Sequence, residues 1–561
     1  MRTKIILIIG LTSSFLFFLN TKSFSAVTVP AQPAIVSVQG SQLMVSWRNP
    51  DGSLSALTPY IIRGVNWTAA TRAPATGPNP SNLDGTHPQY PLTVQYGFFF
   101  DWPNRDKAEG QQGHDLNTFW IQEEYKARYL ADLSLMQTMR VNTIRIYSDF
   151  NRDPAVSLQI LDECYRRGMM VVMTVIGSAQ DFASGQYLTV VDRYKNHPAI
   201  LMWAIGNEWN FNTYYGLSIT DSILKTENAA QLIKQHDPNH PVSSSLGDRF
   251  SIPPNTCTPG APCCNPTPQG TDIPSIVQSV PSVDVWGLNI YRGASFGTLF
   301  DQWRAVSAKP FYLGEFGIDS FKTQSYTVVQ CSKAVNVVGV EDQTGQANID
   351  NSLWLEITGH LSAFNSGELN LGGFIFQFND SLWKVGNYNV GLGGLVNYNG
   401  PDGIPGTPDD DTSYDEYNKE GFILSSPFDQ IANEEYYGLV NADRAPKQAF
   451  LILQNSYKTI SYIFTDDPLS VRTVVKAQHI TELRTAVNAL RQRAGLAVAA
   501  WTDTTFAGTK IKAVHLEELR TKLTEALQML GLPVPVFTDS PLTGKTIKAV
   551  HVQELRDALR W

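Results

Sequence analysis

The chain has 561 residues, 43% of them hydrophobic and 17% charged; this exceeds one ordinary domain and excludes a disordered chain. Its formal net charge of −9 argues against a nucleic-acid partner. Twelve Trp and 22 Tyr suit a carbohydrate, whose rings present apolar C–H faces, although large globular chains also use aromatics for packing alone.

Met1 to Ser25 reads as an export signal. Arg2 and Lys4 precede an apolar stretch, Ile5 to Leu19, that is too short and too poorly flanked for a membrane span. Ser23 and Ser25 place cleavage after Ser25 or Ala26. No later run approaches the length of a spanning helix, so the expected location is secreted or extracellular, including the periplasm or the cell surface. Residues 27–58 read as a small N-terminal β-hairpin: Ala34 to Trp47 alternates, with turns at Gly40-Ser41 and Pro50-Asp51-Gly52.

A strand-helix alternation follows over residues 59–460. Strands are expected at Tyr60 to Trp67, Val141 to Tyr147, Met169 to Ile176, Ala199 to Ile205, Pro241 to Leu246, Val283 to Tyr291, Pro310 to Gly314 and Leu371 to Phe378. The fifth is a poor strand, rich in Ser. Helical patterns lie near Ile121 to Met139, between Pro154 and Gly168, and over Ser222 to His236, Ile349 to Phe364 and Lys447 to Tyr457. Eight such units imply an α/β fold, a closed parallel (β/α)8 TIM barrel.

Two strand ends carry chemistry. The apolar run Ile200 to Ile205 stops at Gly206 and is followed by Asn207, Glu208 and Trp209. Sites in parallel barrels lie at the carboxyl ends of strands. Trp203 and Trp209 flank Glu208, and an apolar surround suits a general acid; the bland reading is that Glu208 caps the next helix. Pro310 to Gly317 again runs a short apolar strand into a Glu, Glu315, between Gly314 and Gly317. Two strand-end glutamates can carry retaining glycoside hydrolysis, with carboxyls about 5–5.5 Å apart.

The Gly-Asn-Glu and Gly-Glu-Phe-Gly motifs, with their glutamates 107 residues apart, resemble the clan A glycoside hydrolases. The likeness covers roughly residues 55–457. The stretches Tyr60 to Asn66, Asn142 to Tyr147 and Tyr187 to Glu208 resemble family 2 catalytic domains and the β-1,3-glucanosyltransferases of family 72. The resemblance implies that Glu208 is the acid/base after strand four and Glu315 the nucleophile after strand seven. It implies that Arg145 hydrogen-bonds the nucleophile, that Tyr291 orients it, and that Asn207 bonds the sugar 2-hydroxyl. Arg145 in a core ion pair and Tyr291 in plain packing are the structural alternatives. Strand eight of the clan often ends in a Trp platform; here it reads Phe-Ile-Phe-Gln-Phe-Asn-Asp, and Trp383 just beyond is the candidate substitute.

The chain implies no cofactor and no catalytic metal. Thr68 to Asn117, rich in aromatics, is expected to wall the cleft. Asn399 to Thr412 has acidic oxygens beside glycine turns, which could hold calcium, but it lacks the EF-hand spacing, so a solvated loop is the expectation. Of the five cysteines, Cys257 is expected to pair with Cys263 or Cys264 and Cys331 with the other, because adjacent cysteines strain badly when bridged to each other. Cys164 is expected to stay a packed thiol.

Residues 464–561 form three repeats. Lys476-Ala-Gln-His-Ile-Thr-Glu-Leu-Arg484 recurs at Lys512 to Arg520 and at Lys548 to Arg556, 36 residues apart each time. Each unit opens with an aromatic-Thr-Asp, at Phe464, Trp501 and Phe537, and runs into an amphipathic helix. A fixed period of this length means stacked supersecondary units. His479, His515 and His551 read as buried, hydrogen-bonded residues, since one His and one Glu per unit are too few to ligate a metal. Attachment to a polymer or the cell surface is the expected role of the module.

Together these features point to an exported retaining β-glycoside hydrolase or transglycosidase. A hairpin stands where family 2 usually has sandwich domains, which favours a β-glucan. A surface carbohydrate-binding protein on an inactive barrel is the alternative from another class.

Overall fold

The computed structural model describes residues 27–67, 71–72, 95–96, 123–148, 150, 154–252, 268–329, 333–380, 420–423, 429–433, 436–441, 444–459, 464–466, 469, 473–506, 510–530, 532 and 534–559. Residues 1–25, most of 68–117, Cys257, Cys263, Cys264, Cys331, Trp383 and the 399–412 loop lie outside them. Cys164, in the helix Pro154–Arg166, is buried and forms no disulfide.

Eight parallel strands close a barrel in chain order: Ile62–Asn66, Thr143–Ile146, Met170–Ile176, Ile200–Ile205, Val242–Gly247, Val285–Asn289, Phe311–Phe316 and Asn370–Ile375. The expected (β/α)8 fold is thus the observed one. All eight strands are almost entirely buried because helices cover them outside and side chains fill them inside. Strand five, the weakest in the sequence, holds its place through its serines. Ser243 Oγ donates to Trp203 O at 3.2 Å and Ser244 Oγ to Ile205 O at 2.7 Å. These two hydroxyls are satisfied inside the sheet, which lets the Ser-rich strand be buried there.

The N-terminal hairpin has a defined task. Ile35–Gln39 pairs antiparallel with Gln42–Ser46, and Thr58–Pro59 adds a third strand. Ala34, Val36, Leu43 and Val45 pack with Met170, Leu201, Val285, Tyr312 and Phe374 from the barrel interior. The hairpin therefore plugs the amino-terminal end of the barrel and leaves the carboxyl end for chemistry.

Two sheets were not expected: a short antiparallel pair of Thr71–Arg72 with Gln95–Tyr96, and a larger one. After strand seven, Phe321–Val329 and Lys333–Glu341 form an antiparallel pair that continues to Glu420–Ile423 and Ile431–Ala432. The segment Phe321 to Val329 is rich in β-branched and aromatic residues but does not alternate, and no Gly or Asn-Gly turn follows it, so neither strand signal was present.

The repeats fold around their own apolar core, including Ile480, Leu516 and Val552. Helices Ala477–Arg493, Ala513–Met529 and Ala549–Leu559 make equivalent contacts. Arg484 donates to the backbone oxygens of Thr502 (2.6 Å) and Asp503 (2.8 Å) in the next unit. Arg520 does so to Thr538 O at 2.8 Å. Arg556 returns to the first unit, donating to Thr465 O at 2.7 Å and Asp466 O at 3.2 Å. Each guanidinium lies about an aromatic ring of the turn it grips: Trp501, Phe537 and Phe464. The three units thus close a ring; an open stack would leave the last arginine without a turn to hold. The three histidines are fully buried. Each ring accepts a backbone N–H at 3.2 Å from Lys476, Lys512 or Lys548 and bonds Asp466, Asp503 or Asp539 with its other nitrogen.

The ring docks on the plugged end of the barrel. Arg493 lies over the Trp47 ring at 5.1 Å, and a β-carbon at Gly168 would fall 0.5 Å from its guanidinium. Gly168 has φ +69, a left-handed backbone that favours glycine.

Candidate active site

The carboxyl ends of strands one, two, four, six and seven converge on Glu315. Its buried carboxylate accepts three hydrogen bonds. Arg145 Nη1 reaches Oε1 at 2.9 Å, Tyr147 Oη reaches Oε1 at 2.6 Å, and Tyr291 Oη reaches Oε2 at 2.9 Å. Strand seven carries Glu315 into place through a register shift against strand six, between Leu288 and Asn289, so that Asn289 pairs with Glu315. Such bulges re-aim side chains at sheet ends.

Arg145 is fully buried and organises the cluster. Besides Glu315, its Nη1 donates to Asn66 Oδ1 and Gly314 O, both at 3.1 Å, and to Tyr147 Oη at 3.2 Å. Its Nη2 donates to Asn207 Oδ1 at 2.7 Å. Burial alone would lower the pKa of this guanidinium, but the neighbouring Tyr147 and the charge of Glu315 raise it above its ordinary value. Arg145 and Glu315 stand at ion-pair distance, 2.9 Å, with both side chains buried.

Asn207 uses its carbonyl oxygen twice, for Arg145 and for Asn289 Nδ2 at 3.0 Å. That orientation leaves its amide N–H groups as donors to a ligand. Tyr291 is pushed well above the ordinary phenol range, first by burial and then by the charge of Glu315, with Tyr437, Tyr147 and Glu208 adding to it. It stays a donor at any working pH.

Glu208 follows strand four in a left-handed conformation, φ +49, which a residue with a side chain seldom adopts. Its backbone N–H donates to Ser245 O at 3.0 Å, fixing the turn to strand five. It stands at the N-cap of the helix Trp209–Gly216, yet its side chain makes no capping hydrogen bond. The capping role weighed from the sequence is thus not what the carboxyl does. Trp203 and Trp209, which flank it in the chain, belong to the main hydrophobic core. Both are fully buried, with the indole N–H groups committed to Asp237 at 2.7 Å and Ser244 at 2.9 Å.

The structure therefore brings Arg145, Asn207, Tyr291 and Glu315 into one network with Glu208 beside it. Trp383 lies outside the described residues. The last residue of the strand-eight apolar run, Phe376, packs edge-on against Tyr291 at 6.3 Å and against Tyr437 at 5.7 Å. Three members of the network were missed in the sequence: Asn66, Tyr147 and Asn289. The signal was present for two of them. Tyr147 stands two after Arg145 and Asn289 two before Tyr291, and period two puts such pairs on one face. Among the described residues no group of three or more His, Cys, Asp or Glu side chains could hold a metal ion, and no helix is long and apolar enough to cross a membrane.

Residues 125–326 match the family model "Glycosyl hydrolases family 2, TIM barrel domain". No curated protein matches the chain. Solved structures that match include a family 2 β-galacturonidase from Eisenbergiella tayi, 16% identical over 77% of this chain and 55% of that one, with a TM-score of 0.40. Another is a β-glucuronidase from Faecalibacterium prausnitzii, 15% identical over 76% of this chain and 52% of that one, with a TM-score of 0.39. The chain spans about half the length of these structures. The matched segment holds Arg145, Asn207, Glu208, Tyr291 and Glu315, and over it the chain is similar to the TIM-barrel domain of family 2 glycosyl hydrolases.

Proposed function

We propose that the protein is an exported retaining β-glycoside hydrolase or transglycosidase acting on a β-linked oligo- or polysaccharide, a β-glucan. The family model supports a β-glycoside hydrolase. The observation that carries the reading is the convergence of Arg145, Tyr147 and Tyr291 on the Glu315 carboxylate. Three donors fix both oxygens of a carboxylate at a strand end, which suits an oriented nucleophile.

In the first step a Glu315 oxygen attacks the anomeric carbon. The glycosidic C–O bond breaks, and Glu208 gives its proton to the leaving oxygen. In the second step Glu208 takes a proton from water, or from an acceptor sugar hydroxyl, whose oxygen attacks the same carbon and frees Glu315. Asn207 donates to the sugar 2-hydroxyl, a contact that strengthens in the transition state. Export rests on the pattern of residues 1–25, the glucan preference on the hairpin standing where family 2 usually has sandwich domains, and surface attachment on the repeats. The test is turnover of aryl β-glycosides or β-glucans by the full chain, lost in Glu315→Ala. A wild-type chain that binds β-glucan without cleaving it would instead establish the carbohydrate-binding alternative.

A further inference from the structure

An acid that protonates a leaving oxygen stands next to the leaving sugar, and the helix Trp209–Gly216 begins beside Glu208. Three positions on stands Phe211, whose backbone N–H donates to Glu208 O at 2.8 Å. Phe211 is 46% exposed, which alone means little for one apolar side chain. What distinguishes it is how firmly the exposed ring is held. Arg249 lies over the ring at 4.4 Å from its centroid and also donates to Asn210 O at 2.7 Å. Asn210, fully buried, bonds the backbone of Gly247 in both directions: Nδ2 to Gly247 O at 3.0 Å, and Gly247 N–H to its Oδ1 at 2.8 Å. Gly247 ends strand five, and a β-carbon there would lie 2.0 Å from the Phe211 ring. The ring therefore rests on bare backbone at the carboxyl rim of the barrel, backed by a cation.

The segment beyond it is also fixed. Tyr214 stacks on Trp209 at 5.5 Å, and Thr213, Tyr214 and Tyr215 all take left-handed φ values, of 49, 52 and 50. Side chains of this kind occupy that region at a cost.

We propose that Phe211 is the platform for the leaving-group sugar, stacking on the apolar C–H face of the pyranose next to the scissile bond. This rests on Glu208 being the acid/base. The ligand class is a neutral sugar ring, for which a held aromatic face supplies binding with little loss of side-chain freedom.

The test compares two substrates in the full-length enzyme: β-glucosyl fluoride, whose leaving group is too small to reach Phe211, and β-linked glucose disaccharides. The ratio of kcat/KM on disaccharide to that on fluoride is expected to fall about tenfold in Phe211→Ala and Phe211→Leu, a loss of about 1.4 kcal/mol. Phe211→Trp should keep the ratio near that of the wild type. Gly247→Ala, which displaces the ring without removing it, should also lower it. A ratio equal in all variants, or Leu serving as well as Trp, overturns the platform while leaving the two-glutamate reading in place. Wild-type enzyme that turns over neither substrate overturns both.

Discussion

Arg145 donates to Asn207 through the nitrogen that it does not use for Glu315: Nη2 to Asn207 Oδ1 at 2.7 Å, Nη1 to Glu315 Oε1 at 2.9 Å. One planar fork thus sets Glu315, the proposed nucleophile, and the residue beside Glu208 at a fixed spacing. A lysine offers a point charge where this site needs a fork. Arg145→Lys is expected to lower kcat about 100-fold, or about 2.7 kcal/mol, as one charged hydrogen bond and part of a second are lost. KM should move far less. Steady-state kinetics check this; a fall of less than about threefold would show that the fork is not used.

A second expectation concerns pH and stability. Burial, and then the charge of Asp429, push the Asp319 carboxyl up to about 8 from an ordinary value of 3.8. Between those values the folded protein keeps a proton that the unfolded chain has lost. Stability from this group is therefore highest at acid pH and falls as pH rises through the window toward 8. Asp319→Asn removes the titration. The unfolding midpoint of the wild type should drop more between about pH 5 and about pH 8 than that of the variant. Equal slopes would contradict the assignment.

The repeats allow a test of ring closure. In a closed ring, Arg556 grips Thr465 and Asp466 as Arg484 grips Thr502 and Asp503. Arg556→Ala and Arg484→Ala should then destabilise the C-terminal module by similar amounts, about 1–3 kcal/mol each. Hydrogen exchange at residues 464–466 should rise in Arg556→Ala. A silent Arg556→Ala beside a damaging Arg484→Ala would mean that the three units form an open stack.

Removing the module separates folding from chemistry. Its core is its own, and its links to the rest of the chain include Arg493 on Trp47 and Gly168 and a Lys458–Asp557 ion pair at 3.8 Å. Deletion of residues 464–561 should keep kcat/KM on a soluble substrate within about twofold. It should lower the melting temperature by a few degrees, since the surface beneath Arg493 becomes exposed. An inactive or insoluble barrel would make the repeats part of the catalytic domain.

Much of this was legible in the sequence because hydrophobic period and strand-end position are local signals. The eight strands, the hairpin and the two glutamates all declared themselves by pattern. The network around Glu315 did so only in part. Asn66 meets Arg145 and Gly314 across the barrel, a contact that closure creates and that no spacing along the chain encodes. Ring closure was hidden for the same reason, since Arg556 reaches back 90 residues to Asp466. For Trp203 and Trp209 the sequence shows their proximity to Glu208 in the chain but not that their N–H groups bond Asp237 and Ser244.

The central claim is that Glu315 attacks the sugar while Glu208 serves as acid and base. It is tested most directly by trapping the intermediate. Wild-type enzyme incubated with a 2-deoxy-2-fluoro-β-glycosyl fluoride, whose fluorine slows release of the glycosyl-enzyme, is digested and mapped by mass spectrometry. The account predicts a single glycosyl adduct on Glu315 and none in Glu315→Ala. An adduct on Glu208 or elsewhere, or active enzyme that forms no adduct and inverts the anomeric configuration of its product, would contradict it.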